Sequence, residues 1–371
     1  MAEKIYLSSP HMSDEGYEQA YIKEAFETNW ISPLGNNVKM FEKEMNAYTG
    51  TNHAVALNAG TAAIHMALKA ARVQKDDTIF CQSLTFAASA NPILYEQATP
   101  VFIDSEKETW NMDPNALEEA FKKYPNAKAV IVVHLYGLSA KIEQIKAICE
   151  KYQATLIEDA AESLGTTYKD RQTGSFGDYG IYSFNGNKII TTSGGGMLVS
   201  NQKERIDKVR YWSAQAKDKA IHYQHSEIGY NYRLSNISAG IGRGQLKVLD
   251  QRIKRKKEIF DTYKKQLSNL EGLTFMPINP WNKPNYWLTC IQLKGKIRPL
   301  DIIEALNKEN IESRPLWKPM HMQPVFKDYD FIGSNIAEDL FNNGLCLPSD
   351  TKMTDEDVTR IIGIIKSVYN Y

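Results

Sequence analysis

Cysteine is scarce in this 371-residue chain, and Cys81, Cys149, Cys290 and Cys346 lie far apart with no C-x-x-C spacing. That pattern offers neither a disulfide framework nor the ligands of a structural zinc site, so reduced thiols and no metal are expected. An excess of charge of either sign is missing too, since 44 basic and 44 acidic residues cancel. No global field is left to recruit nucleic acid or an anionic membrane, and any anion must be recognised locally. No apolar run approaches the roughly 20 residues that span a bilayer. The stretch Met1 to Pro10 lacks the basic start and apolar run of a signal peptide, and a cytoplasmic protein is expected. Internal repeats and low-complexity tracts are absent, which excludes a repeat array.

What is present is apolar mass. Hydrophobic residues make up 43% and aromatics 11% of the chain, enough for a large core and too much length for one ordinary domain. Two unequal domains are expected: residues 1–247, and residues 248–371 with the helix that links them. Between about 50 and 200, short apolar runs alternate with helical patterns. Ala54 to Leu57, Thr78 to Cys81, Pro100 to Ile103, Ala129 to Val133, Ala154 to Ile157, Ile181 to Phe184 and Met197 to Val199 read as strands. Thr61 to Ala71 and Lys141 to Tyr152 read as helices. Such spacing argues for a mostly parallel sheet covered on both faces. Val248 to Asn269 predicts a long charged helix and Asn279 to Pro284 a loop. Trp287 to Leu293 predicts a strand, with helices at Pro299 to Lys308 and Thr354 to Val368, as in a smaller α/β domain.

Four local signals carry chemistry. Asn58-Ala59-Gly60-Thr61-Ala62-Ala63 joins a strand to a helix; the glycine permits close approach, and the helix start presents N–H groups and a positive dipole end to a phosphate. On its own it is also an ordinary turn with Thr61 as cap. Glu158-Asp159-Ala160-Ala161-Glu162 sits at the carboxyl end of a strand, the end that faces the ligand crevice in open α/β sheets. Asp159 there either holds a cationic ring nitrogen or caps the next helix. Ser183-Phe184-Asn185-Gly186-Asn187-Lys188 presents a lysine and returns through Gly194, Gly195 and Gly196. Most lysines are solvated charges, but desolvation in such an apolar, glycine-rich setting frees a nucleophilic amine. Gly229-Tyr230-Asn231-Tyr232-Arg233-Leu234 is either packing at a subunit contact or a polar contribution to a neighbouring site. One ligand needs a phosphate site, a carboxylate for a ring nitrogen and a lysine for an aldehyde: pyridoxal 5'-phosphate. Phe86 could stack on its ring.

Those motifs, with LTFAASAN at Leu84 and the end segments Asn29-Trp30-Ile31-Ser32 and Leu345-Cys346-Leu347-Pro348-Ser349, resemble the DegT/DnrJ/EryC1/StrS sugar aminotransferases along nearly the whole chain. The resemblance implies the aspartate aminotransferase fold (fold type I): an α/β large domain with a mostly parallel seven-stranded sheet, and a small C-terminal α/β domain. It implies that Lys188 bonds the cofactor aldehyde, that Asp159 pairs with the pyridine nitrogen, and that Glu162, where many relatives carry Gln or His, lies near the ring hydroxyl. Gly60, Thr61 and Ser183 would hold the phosphate and Phe86 would stack on the ring. Asn231 would reach the phosphate of a neighbouring subunit, in a homodimer with shared sites.

Within the family, SFNGNKIITTSGGGM and Ser313 to His321 look like the bacillosamine-pathway members, which aminate UDP-2-acetamido-4-keto-2,6-dideoxy-hexose at C4 with L-glutamate as donor. Pyridoxamine 5'-phosphate is then the cofactor form between the half-reactions. By that likeness Asn29, Trp30, Ile31, Ser32, Ala59, Asn231, Arg233, Trp317, Lys318, Pro319, Met320 and His321 would line the sugar-nucleotide site, the Trp317 segment being equally readable as interdomain packing. A GDP- or dTDP-linked keto sugar is the rival substrate. A sugar dehydratase would carry histidine in place of Lys188, and a non-catalytic relative would have lost Lys188 or Asp159.

Overall fold

The computed structural model describes residues 3–369, so Met1 and Ala2 of the N-terminal stretch, and Asn370 and Tyr371, lie outside it. Two helices, α1 (Tyr17–Glu27) and α2 (Asn36–Thr49), open the chain. Strands and helices then alternate: β1 (His53–Leu57), α3 (Gly60–Ala70), β2 (Thr78–Gln82), α4 (Asn91–Tyr95), β3 (Thr99–Ile103), α5 (Pro114–Lys123), β4 (Ala129–Val133), α6 (Ile142–Tyr152) and β5 (Thr155–Asp159). A short ribbon, β6 (Thr167–Tyr168) and β7 (Arg171–Gln172), precedes β8 (Tyr179–Ser183), β9 (Gly196–Ser200), α7 (Lys203–Trp212) and α8 (Asn236–Lys247). The remainder comprises α9 (Leu249–Leu267), β10 (Leu273–Phe275), β11 (Asn282–Lys283), β12 (Thr289–Leu293), α10 (Pro299–Lys308), β13 (Arg314–Pro315), β14 (Phe331–Ile332), α11 (Ile336–Asn343), β15 (Gly344–Leu347) and α12 (Asp355–Tyr369).

The large sheet runs β1-β9-β8-β5-β4-β2-β3-β14. Seven of its strands come from residues 53–200, and β14 adds an eighth from the C-terminal part. The strands from β8 to β14 pair in parallel, whereas β9 is antiparallel to both β8 and β1. Alternate side chains divide the core. Val55, Ile79, Ile131, Ile157, Ile181 and Leu198 pack with Ile64, Leu68, Ile206 and Val209 of α3 and α7. Phe80, Val101, Val130, Val132 and Leu156 face α5 and α6 on the other side. There too, Ala54, Ala56, Met197 and Val199 join Val38, Phe41 and Ala239 of α2 and α8. Every residue of β4 is buried, as its unbroken apolar, β-branched run requires.

The strand expected over Ala154 to Ile157 runs in the structure from Thr155 to Asp159. Burial of Leu156 and Ile157, at about 2 kcal/mol each, and pairing of Glu158 and Asp159 with Val132 and Val133, carry the strand on to Asp159. Conversely, β12 begins at Thr289 rather than Trp287: Tyr286 takes a left-handed backbone (φ 56°), turning the indole of Trp287 inward. The expected loop 279–284 contains β11, which pairs with β6. The helices α1, α2, α4, α5, α7 and α11 have no counterpart among the expected elements.

The helix pair α8 and α9 breaks at Val248 (φ −105°, ψ 4°). Beyond it a four-stranded sheet, β10-β12-β15-β13, packs with α9, α10 and α12 through Ile259, Tyr263, Ile291, Ile302, Leu306, Ile361 and Ile365. Chain segments cross between the halves: Ile5 bridges to Ile311, and β14 extends the large sheet. The four cysteines are buried thiols; Cys290 and Cys346 face each other across β12 and β15 with sulfurs 3.7 Å apart. Among the described residues no helix is long and apolar enough to cross a membrane.

Candidate active site

A cleft of about 760 Å³ opens where the carboxyl ends of the parallel strands meet the C-terminal segment, the position expected for a ligand in an open α/β sheet. It gathers Ala59, Gly60, Thr61, Phe86, Asp159, Glu162, Ser183, Lys188, Trp317 and Lys318 in one wall-to-wall arrangement.

Each side chain is placed by its element. Asp159 is the last residue of β5, buried, and its two oxygens accept from Ser89 Oγ at 2.7 Å and from the Ala161 N–H at 3.1 Å. No helix follows it, so the capping alternative falls away. Its neighbour Glu158 points to the opposite side of the sheet, as strand alternation demands. There Glu158 accepts from the N–H groups of Gly174, Phe176 and Gly177 and from His134 Nε2. His134 Nδ1 accepts from the Ala140 N–H, which fixes the proton on Nε2.

Lys188 sits in the loop between the antiparallel strands β8 and β9. The loop is closed by Phe184 N–H to Gly195 O and Thr192 N–H to Phe184 O, and anchored by buried Ile189 and Ile190. Its Nζ lies 3.6 Å from Glu162 Oε1 and 4.4 Å from the centroid of the Trp287 ring. Glu162 is buried, and its Oε2 accepts from the Tyr136 N–H at 2.7 Å. Burial pushes this carboxyl up to about 7 despite the opposing pull of the Lys188 amine and the Tyr136 N–H. Tyr136 itself has a left-handed backbone (φ 54°), a strained conformation of the kind that concentrates at functional sites.

The turn between β1 and α3 forms the other end of the cleft. The cap of α3 is Ala59, not Thr61, and no side chain closes its first turn, leaving N–H groups for an anion. A Cβ on Gly196 would stand 2.4 Å from Ala59 O and 2.5 Å from Gly60 N, and one on Gly60 would meet Ser183 Cβ at 3.0 Å. Only glycine lets the three segments close into this cradle. Beside the cradle lies a buried carboxylate, and an amine stands across the floor. The donor set fits a phosphate, a ring nitrogen and an aldehyde.

Other expected residues lie elsewhere. Asn29, Trp30, Ile31 and Ser32 are exposed and outside the cleft. Trp30 instead lines a second hollow of about 720 Å³ with Arg210, Arg233 and Asn236. Arg233 is ion-paired with Glu42 at 3.2 Å. Asn231 is exposed at the cleft's outer margin, its carbonyl accepting from Asn58 Nδ2 at 3.2 Å. The Trp317 segment divides. Trp317 and Lys318 reach the cleft, and the Trp317 ring lies 5.6 Å from that of Phe86. Pro319 and Met320 are buried, and His321 bonds Ser83 Oγ at 2.7 Å and stacks on Phe331; this half is packing. The sequence reading missed Tyr136, Trp287, Ser8 and Arg314. The carboxyl-end rule, applied to β4 as it was to β5, would have pointed to residues 134–137; Arg314 stands in the singled-out segment Ser313 to His321, and nothing local marked Ser8 or Trp287.

The DegT/DnrJ/EryC1/StrS aminotransferase family model matches residues 13–366, and the chain belongs to that family. It is a pyridoxal-phosphate-dependent sugar aminotransferase of the aspartate aminotransferase fold. EpsN of Bacillus subtilis (strain 168), assigned as a pyridoxal phosphate-dependent aminotransferase, is 53% identical over 100% of this chain and 97% of its own. A GDP-perosamine synthase of Caulobacter vibrioides is 35% identical over 98% of both chains. The crystal structure of a DegT DnrJ EryC1 StrS aminotransferase from Brucella abortus superimposes with a TM-score of 0.89 at 29% identity, covering 96% of each chain.

Proposed function

We propose that the chain transfers the amino group of L-glutamate to the C4 keto group of UDP-2-acetamido-4-keto-2,6-dideoxy-hexose. The supporting observation is the division of the Trp317 segment, whose bacillosamine-like sequence delivers Trp317 and Lys318 into the cleft beside Phe86. An aromatic wall and a cation next to the cofactor site suit a sugar joined to a diphosphate. When bound, the cofactor supplies an aldehyde and an electron-withdrawing ring. Asp159, fixed by Ser89 and Ala161, would face the pyridine nitrogen and hold its proton there, so that the cationic ring can withdraw charge. Lys188 Nζ would hold the cofactor at rest and, once free, would take the α-proton of glutamate and deliver it to the cofactor rather than back to the α-carbon, acting as base and then acid. Glu162, poised near neutrality by burial, sits within reach to exchange a proton with that amine. Gly60, Thr61 and Ser183 hold the phosphate. Asn231 completes the site of a second copy, and the exposed Trp30, Ile31 and Leu34 supply apolar surface for that copy to cover.

A GDP-linked keto sugar is the second reading, favoured by relatives named GDP-perosamine synthase at 33–36% identity. Incubating the enzyme with L-glutamate and UDP-, GDP- or dTDP-keto sugars, and following 2-oxoglutarate release and the amino sugar formed, separates them. Turnover confined to the GDP sugar overturns the proposal.

A further inference from the structure

We infer that Trp287 is a positioning residue for the transfer: its indole face is the seat of the Lys188 amine whenever that amine is not bonded to the cofactor. This rests on Lys188 being the cofactor lysine. The Nζ-to-ring distance of 4.4 Å is a cation–π geometry, and the ring is buried and held on several sides. Trp287 Nε1 donates to Asn187 O at 2.9 Å, its backbone N–H donates to Asn285 Oδ1 at 2.9 Å, and its carbonyl accepts from Lys256 Nζ at 3.0 Å. Asn285 in turn donates to the carbonyls of Glu162 and Leu164 at 2.8 and 2.9 Å. One amide thereby sets the spacing between the loop that carries Glu162 and the strand entry that carries Trp287, and Lys188 lies between the two.

The chemistry calls for such a seat. The proposed transfer needs the amine free to carry protons in both half-reactions, and a free lysine side chain has many rotamers among which to wander. A carboxylate alone would bind it as an ion pair and compete for its proton. The face of an indole attracts the cation without accepting that proton. The charged groups facing the amine are Glu162 at 3.6 Å, with Asp159, Glu312, Arg314 and Lys318 further along the cleft wall. Lys256 lies behind the indole, turned away onto the carbonyls of Trp287 and Ser349.

Labelling of Lys188 in the cofactor-free protein by trinitrobenzenesulfonate, read by peptide mass spectrometry, tests this. Trp287→Leu is expected to label roughly three- to tenfold faster than wild type near neutral pH, whereas Trp287→Phe, which keeps a ring face, stays within about twofold. The gap is expected to close at strongly alkaline pH, where a lysine amine is neutral in every variant. Trp287→Met, flexible enough to fill part of the space and without a π face, carries the same expectation as Trp287→Leu should that variant not fold. In the holoenzyme, kcat is expected to fall while KM for glutamate holds. Equal labelling of the variants near neutral pH overturns the inference. So does faster labelling that persists at alkaline pH, since that marks only a loosened cleft. Borohydride reduction and peptide mapping place the cofactor independently: an adduct on a residue other than Lys188 sinks the lysine assignment itself.

Discussion

Two carboxylates adjacent in the chain and a third nearby take different work from their surroundings. Glu158 is consumed by N–H groups and His134, Asp159 faces the cleft, and Glu162 is buried beside Lys188. The folded protein holds Glu162 near 7 against an ordinary 4.5, so between those values it binds more protons than the unfolded chain. Stability from this group is therefore complete below about pH 4.5 and lost as pH rises through about 7. Glu162→Gln is expected to leave the cofactor-free protein's thermal midpoint unchanged at low pH. Near pH 8 it should stabilise the protein by on the order of 3 kcal/mol. Melting curves at the two pH values check this; equal effects at both would show that desolvation does not govern the site.

At the scale of elements, the glycine-lined end of the cleft, proposed above to hold the phosphate, is a packing problem. The β1–α3 turn, the end of β8 and the start of β9 meet so closely that a Cβ at Gly196 would overlap the backbone of Ala59 and Gly60. Backbone cannot rotate away as a side chain can, so Gly196→Ala is expected to destabilise by roughly 2–3 kcal/mol and to weaken cofactor binding at least tenfold. Denaturant unfolding and cofactor titration measure the two losses. Unchanged cofactor affinity in a destabilised variant would separate the cradle from the phosphate.

At the scale of the molecule, the chain by itself leaves Asn231 exposed and the 29–34 segment uncovered. The proposed homodimer with shared sites carries a quantitative expectation. Lys188→Ala and Asn231→Ala are each expected to be nearly inactive, yet in a hybrid dimer one site regains both native residues. Random exchange makes half the dimers hybrid, so mixing equal amounts restores about a quarter of wild-type activity. No recovery after verified subunit exchange removes Asn231 from the neighbouring site.

The sequence by itself determined the alternating architecture and picked out Lys188 and Asp159, which the fold brings to one cleft, because those signals are local. Apolar runs such as residues 129–133 announce buried strands, and Gly60 and Lys188 stand in short motifs whose chemistry is legible in a line of text. Only the tertiary structure decided what the rest of the chain brings to them. Trp287 reaches Lys188 from 99 positions away through Lys256 and Asn285. The segment after Trp317 is half cleft wall and half packing, and Arg233 is spent on Glu42. Burial and partner are properties of the folded neighbourhood, and the free energy of a side chain's surroundings is not carried by its immediate sequence.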